Sequence, residues 1–294
     1  MNRISWMSLL SVVALLTVQA SFASERVGNF ALLDHEGSYH QLRKYGDSKA
    51  VVIISIASAC VENIDKLPKY RLLRTTWEQQ GITFLGLNSS VEDEQDDVRL
   101  MDALHNFDIP ILLDKSQLVA ENLGISKAGE VIVLEPNRFQ VLYRGGLDID
   151  SVRARPNLGI AASAGTTTLA DTLSATIAGD FDGFDETVST EATGCDLHFP
   201  VRDLHESAAP DYATEVAPIL EAKCVSCHIS GGIAPFAMDS YMMVQGWSPM
   251  MKEVIMTKRM PPAQVDPNIN HFTNARYMDP SELQTLIHWI DAGA

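Results

Sequence analysis

Cysteine is scarce in this chain: Cys60, Cys195, Cys224 and Cys227 are the four in 294 residues. That is too few for a disulfide-stapled scaffold, so each thiol poses its own chemical question. Positive charge is also short, with 22 Lys and Arg against 38 Asp and Glu for a formal net charge of −16. Nucleic acid and anionic membrane surfaces would repel such a chain, whereas a basic partner would be steered in. Beyond the N-terminus no apolar run is long enough to span a bilayer, and no internal repeat is visible. Disorder is not the default either, because 46% hydrophobic residues suffice for real cores and the length suggests two domains.

The N-terminus reads as an export signal. Asn2 and Arg3 precede a short apolar run from Trp6 to Val18, and Ser21-Phe22-Ala23 forms a small-x-small cleavage site. Residues 1–23 are therefore expected to be a signal peptide, with the mature protein starting near Ser24 in the periplasm. The membrane would be touched only if that segment stayed uncleaved.

Phe30 to Leu42 reads as a hairpin turning at Asp34-His35-Glu36-Gly37, and Val51 to Ile56 as a strand covered on both faces, with Cys60 just past its end. A helix over 62–80, interrupted or kinked at Pro68, leads to a second buried strand, Ile82 to Leu87. A helix from Asp93 to Phe107, an extended piece Ile109 to Leu113, a short helix ended by Gly124 and a hairpin around Glu135-Pro136-Asn137 complete a βαβα pattern. That is the pattern of a thioredoxin-like domain, assigned to 27–150. The acidic run Glu92, Asp93, Glu94, Asp96 and Asp97 reads as a solvated loop and helix start. Residues 151–210, which contain Cys195, read as an extension and linker with one helix, Leu169 to Ala178, and a boundary at Pro200 and Pro210. Residues 211–294 make a small all-α domain, opening with a helix from Tyr212 to Lys223 and closing with one from Pro280 to Ala292.

Cys224-Val225-Ser226-Cys227-His228 is C-x-x-C-H, the attachment sequence for a c-type haem. Two thiols on one turn can form thioethers to the vinyl groups, and the adjacent imidazole is left to ligate the iron. Half of a zinc site and a thioredoxin-type dithiol with an incidental His are the competing readings. Met260, set before Pro261-Pro262 and 32 residues beyond His228, is the candidate sixth ligand, with His271 in reserve. Eight of the eleven methionines fall between Met238 and Met278, as adaptable packing against a flat cofactor or, at Met242-Met243 and Met250-Met251, as soft ligands for Cu(I). His198, His205 and His288 read as surface or structural residues.

Glu215-Val216-Ala217-Pro218-Ile219-Leu220, the C-x-x-C-H motif, Gly231-Gly232-Ile233-Ala234-Pro235-Phe236, Met260-Pro261-Pro262 and Trp289-Ile290-Asp291-Ala292-Gly293-Ala294 together resemble one known module. It is the cytochrome c part of multidomain bacterial proteins that join a redoxin domain, a cytochrome c domain and a type II copper, ascorbate-dependent-like monooxygenase domain. Tyr143-Arg144-Gly145-Gly146-Leu147-Asp148 and Gly194-Cys195 resemble the redoxin part of the same proteins. The copper domain is not in this sequence, so the resemblance implies haem c and redox partners, including a separate copper monooxygenase, rather than monooxygenation itself.

The redoxin text departs from its relatives. Cys60-Val61-Glu62-Asn63 has Asn where a resolving Cys would stand, Ala57 replaces a peroxiredoxin Thr, and Ala128-Gly129 replaces the usual cis-Pro. Cys60 can be a buried thiol, a reactive one, or bridged to Cys195. The expected function is periplasmic electron transfer by one covalent haem, with the redoxin domain as platform or docking module. The alternative is a thiol peroxidase or thiol-disulfide oxidoreductase using Cys60, with Cys195 as resolving residue and the haem as electron relay.

Overall fold

The computed structural model describes residues 25–147, 168–181, 184, 186–262, 272–273 and 275–294. The expected signal peptide, His271 and most of the linker text after residue 150 lie outside the described residues.

The first strands, β1 (Ala31–Leu33) and β2 (Tyr39–Gln41), form the expected antiparallel hairpin. The main sheet is built from β3 (Ala50–Ser55), β4 (Ile82–Asn88), β5 (Ile111–Leu113), β6 (Val131–Glu135), β7 (Gln140–Gly145) and β8 (Val188–Ser189). Their spatial order is β5-β4-β3-β6-β7-β8, with β3, β4 and β5 mutually parallel and β6 antiparallel to both β3 and β7. The apolar run Ala50 to Ile54 of β3, closed by the buried Ser55, follows from its central place. Val52 and Ile54 enter the core on one face with Tyr70, Leu73 and Trp77, while Val51 and Ile53 enter the other with Val119, Leu123 and Ile132.

The helix expected over 62–80 is two helices, α1 (Val61–Ile64) and α2 (Leu67–Trp77). Pro68 sits in the first turn of α2, where its missing N–H leaves no gap in the ladder. α3 (Gln95–His105) and α4 (Leu118–Leu123) follow. After the undescribed stretch, α5 (Leu169–Ala178) packs Leu169, Leu173 and Ala175 into the first core, and β8 pairs parallel with β7, so this part of the extension completes the sheet.

Pro200, read in the sequence as a breaker, instead opens α6 (Pro200–Ser207), again because proline is tolerated in a first turn. Residues 212–225 are continuously helical, with an α turn between two π turns, and are termed α7. α8 (Tyr241–Met256) and α9 (Pro280–Asp291) complete the C-terminal helical region, whose core joins Val216, Leu220, Val244, Leu286, Ile287 and Trp289.

The two regions touch through α4. Leu118 is buried in the C-terminal core, and Glu121 Oε2 lies 2.8 Å from His288 Nε2. His288 Nδ1 lies 2.8 Å from His205 Nδ1, so α4, α6 and α9 share one polar contact. Desolvation and the neighbouring His288 hold the His205 imidazole below its usual range.

Candidate functional site

The C-x-x-C-H turn lies at the end of α7. The amide of Cys227 and that of His228 both donate to the Cys224 carbonyl, at 3.1 Å each, which wraps the two cysteines and the imidazole onto one turn. The chain then loops back. Ala234 N–H donates to Cys227 O, Met238 N–H donates to His228 O, and Phe236 is brought against the histidine ring at 4.7 Å between centroids. Phe236 stacks in turn on Trp247 of α8 at 4.5 Å.

His228 is 7% exposed, and its Nδ1 lies 3.0 Å from the Phe236 carbonyl oxygen. A carbonyl can only accept, so Nδ1 carries a proton, and the neutral imidazole then has its lone pair on Nε2. This is how a ligating histidine is oriented by a second hydrogen bond. Cys224, Cys227, His228 and Met260 line one cavity of about 320 Å³ whose walls are almost wholly apolar. Met238, Met251 and Met278 supply much of that wall, and all three are buried.

The alternative chemistries fare differently in this geometry. Burial pushes the Cys224 thiol up to about 11, so before any attachment it is a neutral thiol at pH 7, the opposite of what dithiol exchange needs. Among the described residues, no group of three or more His, Cys, Asp or Glu side chains is arranged to hold a metal ion. Of the methionine pairs, Met242 and Met243 are exposed, while Met250 and Met251 diverge, one exposed and one in the core. The groups that could hold a covalent haem are therefore the two thiols, the His228 Nε2 lone pair and the Met260 thioether, in an apolar cavity that suits a flat macrocycle.

A second constellation lies in the N-terminal α/β part. Cys60 directly precedes α1, is 3% exposed, and is disulfide-bonded to Cys195 with their Cα atoms 5.9 Å apart. Residues 193–197 cross the loop before β6 as an extended strap. Ala128 N–H donates to Cys195 O and Leu197 N–H to Ser126 O, both at 2.8 Å, and Lys127 pairs with Asp196. Lys66 Nζ reaches Thr193 Oγ1 at 2.6 Å. The Ala128-Gly129 departure acquires a reason here. Gly129 has φ +103°, and a Cβ on it would lie 2.7 Å from Thr193 O, so the strap needs a glycine beneath it.

Asn63, standing where a resolving Cys was missed, is fully buried and accepts the Ala57 amide at 3.3 Å. The acidic run is not wholly solvated. Asp93 is buried and accepts from the Ser58 amide at 2.7 Å and from Asn88 Nδ2, tying down the turn that leads to Cys60. Nothing in the residue pattern around Asp93 or Lys66 marks them, because both contacts are made across loops.

Residues 23–145 match the AhpC/TSA family. With the α/β architecture above, this makes the N-terminal part a redoxin domain of thioredoxin-like fold. Among solved structures, a hypothetical protein from Sinorhizobium meliloti is 21% identical, with 60% of this chain and 93% of that one covered and a TM-score of 0.43. Peroxidoxin BcpB from Mycobacterium tuberculosis is 18% identical, with 53% and 96% covered and a TM-score of 0.40. A putative thiol:disulfide interchange protein DsbE from Chlorobium tepidum is 16% identical, with 44% and 89% covered and a TM-score of 0.39. No curated protein matches the chain.

Proposed function

We propose that this protein is an exported electron carrier with one c-type haem held by thioethers to Cys224 and Cys227, ligated by His228 Nε2 and by the Met260 thioether. The observation that carries the reading is the bond from His228 Nδ1 to the Phe236 carbonyl, which leaves Nε2 as the donor in a cavity shared with both thiols and Met260. The haem supplies one-electron oxidation and reduction. The chain's own contribution is to fix the imidazole tautomer, to keep water from the iron with apolar walls, and to hold a thioether that favours a higher potential than a second imidazole would. The redoxin domain serves as platform or docking module through α4, and the partners are other redox proteins, a separate copper monooxygenase among them. Export fits an attachment chemistry that takes place outside the cytoplasm. Among the described residues no helix is long and apolar enough to cross a membrane.

The test is expression with a haem-attachment system. Haem is expected to survive acid-acetone extraction and denaturing electrophoresis of the exported protein, because thioethers persist through unfolding. Cys224→Ala should cut that attachment sharply and Cys60→Ala should not. Recovery of the protein with zinc and without covalent haem would sink the proposal.

The ligand assignment has its own check. In haem-loaded Met260→Ala, the weak sulfur-to-iron charge-transfer band is expected to vanish and the potential to fall. An unchanged band and potential, with both lost in His271→Ala or another methionine variant, would move the sixth ligand elsewhere.

A further inference from the structure

His205 and His288 meet nitrogen to nitrogen at the boundary between the two regions. Their Nδ1 atoms are 2.8 Å apart with the rings edge to face, and His288 Nε2 lies 2.8 Å from Glu121 Oε2. The His288 and Glu121 side chains are 10% and 14% exposed, and Glu121 Oε1 is buried without a hydrogen-bond partner among the described residues. The carboxylate therefore acts through His288. With Glu121 ionised, His288 Nε2 donates to it, and in the neutral pair the His288 lone pair sits on Nδ1, where His205 Nδ1 must donate. One added proton is accommodated, because the ring that takes it donates from Nδ1 and the other, with its proton on Nε2, accepts. A second proton leaves an N–H on both facing nitrogens, two positive rings and no acceptor between them.

The other charged groups of the packed helices do not relieve that conflict. Glu215 of α7 and Glu121 of α4 favour a charged His205, but desolvation and then the charge of His288 outweigh them and hold His205 below its ordinary value. Arg202 of α6 pairs with Asp203 and Glu206 of the same helix, and Lys252 of α8 pairs with Asp291 of α9. Asp114, raised to about 7 mainly by burial and slightly by the Glu121 charge, works in the opposite sense, since its proton steadies α4 as pH falls.

We propose that Glu121, His288 and His205 form a proton-operated latch between the redoxin domain and the C-terminal helical region, closed while the imidazole pair holds at most one added proton and released when both rings are charged. The latch does not depend on the haem. Because the docked His205 ring binds a proton less readily than a free imidazole, its contribution is complete above 6.5 and is lost as pH falls below that value. Leu118 of α4 stays in the C-terminal core as an apolar contact, so release loosens α6 and α9 against α4 without unfolding either region. The seating of the helical region on the redoxin domain thereby responds to mild acid.

Amide exchange of the full chain, expressed as protection factors to remove the intrinsic effect of pH, reads the latch in α4, α6 and α9. From about pH 7.5 to about pH 5 the wild type is expected to lose protection about fivefold or more in these helices, with β3 and β6 unchanged. In His205→Asn, whose side-chain amide can stand in for the Nδ1 donor but takes up no proton, that loss should disappear. Glu121→Gln removes the anion that shelters the first proton, so its protection should fall at a higher pH than that of the wild type. Wild-type protection independent of pH, an acid loss shared by β3 and β6, an equal loss in His205→Asn, or a Glu121→Gln profile unmoved or shifted to lower pH would each overturn the proposal. None of these outcomes bears on attachment at Cys224 and Cys227.

Discussion

Replacing Gly194 by Ala is expected to lift residues 193–197 off the loop before β6 and to leave Cys60 and Cys195 as free thiols. Gly194 has φ +153°, and a Cβ there would lie 1.6 Å from the Ala128 carbonyl oxygen and 2.8 Å from its carbon. The obstacle is backbone, so no rotamer change relieves it. Nor can the loop retreat, because Gly129 N–H is bonded to Ser55 O at 2.7 Å and Ala128 is fully buried. The strap must therefore move, and it carries Cys195 with it. Backbone strain of this kind costs about 1–3 kcal/mol, and losing the native bond, which links residues 135 apart, adds about 2–5 kcal/mol. Urea unfolding under non-reducing conditions should show a combined loss of roughly 3 kcal/mol or more. Thiol titration of the denatured chain should find two additional reactive groups per molecule, Cys60 and Cys195. A Gly194→Ala protein with unchanged stability and an intact bond would show that the strap tolerates a side chain there.

Much of the redoxin sheet was legible because its signals are local. A strand buried on both faces, such as Val51 to Ile56, is apolar nearly throughout, Ser55 being the exception, and Gly124 and Gly179 end their helices with left-handed φ values of 62° and 73°. What escaped the sequence has equally plain causes. Pro249 lies inside α8 and, with Gly246, hides a 16-residue helix behind residues that ordinarily argue against one. β8 is two residues long and gains its place only by pairing with β7, so no run of its own could announce it.

The candidate sites divide in the same way. Cys224, Cys227 and His228 could be picked out because their chemistry requires fixed spacing on one turn. The Phe236 carbonyl that sets the imidazole tautomer is a backbone group and carries no residue signature. Cys60 and Cys195 are 135 residues apart, so the sequence could only leave a bridge, a buried thiol and a reactive thiol side by side. The triad of Glu121, His288 and His205 spans three helices and two regions, and lone histidines without ligand spacing look alike in sequence whether exposed or paired.

Asp114 is where the redoxin fold and the C-terminal region are most open to a single substitution. It is fully buried just after β5, and reaches forward to α4, where Oδ2 accepts the Ala120 amide and Oδ1 the Val119 amide, at 2.9 and 3.3 Å, while Oδ2 also accepts Ser89 Oγ at 2.9 Å. These bonds fix the helix that sends Leu118 into the C-terminal core and Glu121 to His288. Asp114→Ala strands two backbone donors and a hydroxyl in the interior, and is expected to cost about 3 kcal/mol. The His205–His288–Glu121 contact should loosen with it, read as faster amide exchange in both α4 and α9. Asp114→Asn keeps one acceptor oxygen and isolates the charge. Burial raises the Asp114 carboxyl from 3.8 to about 7, so between those values the folded chain holds a proton that the unfolded chain has released. Stability from this group is complete below 3.8 and is lost as pH rises through about 7. The wild type should therefore lose ground to Asp114→Asn as pH climbs from about 4 to about 7.5, in urea midpoints measured side by side. A difference that stays constant with pH, or that turns in favour of the wild type, would mean that Asp114 is ionised in the fold and that its hydrogen bonds outweigh its burial.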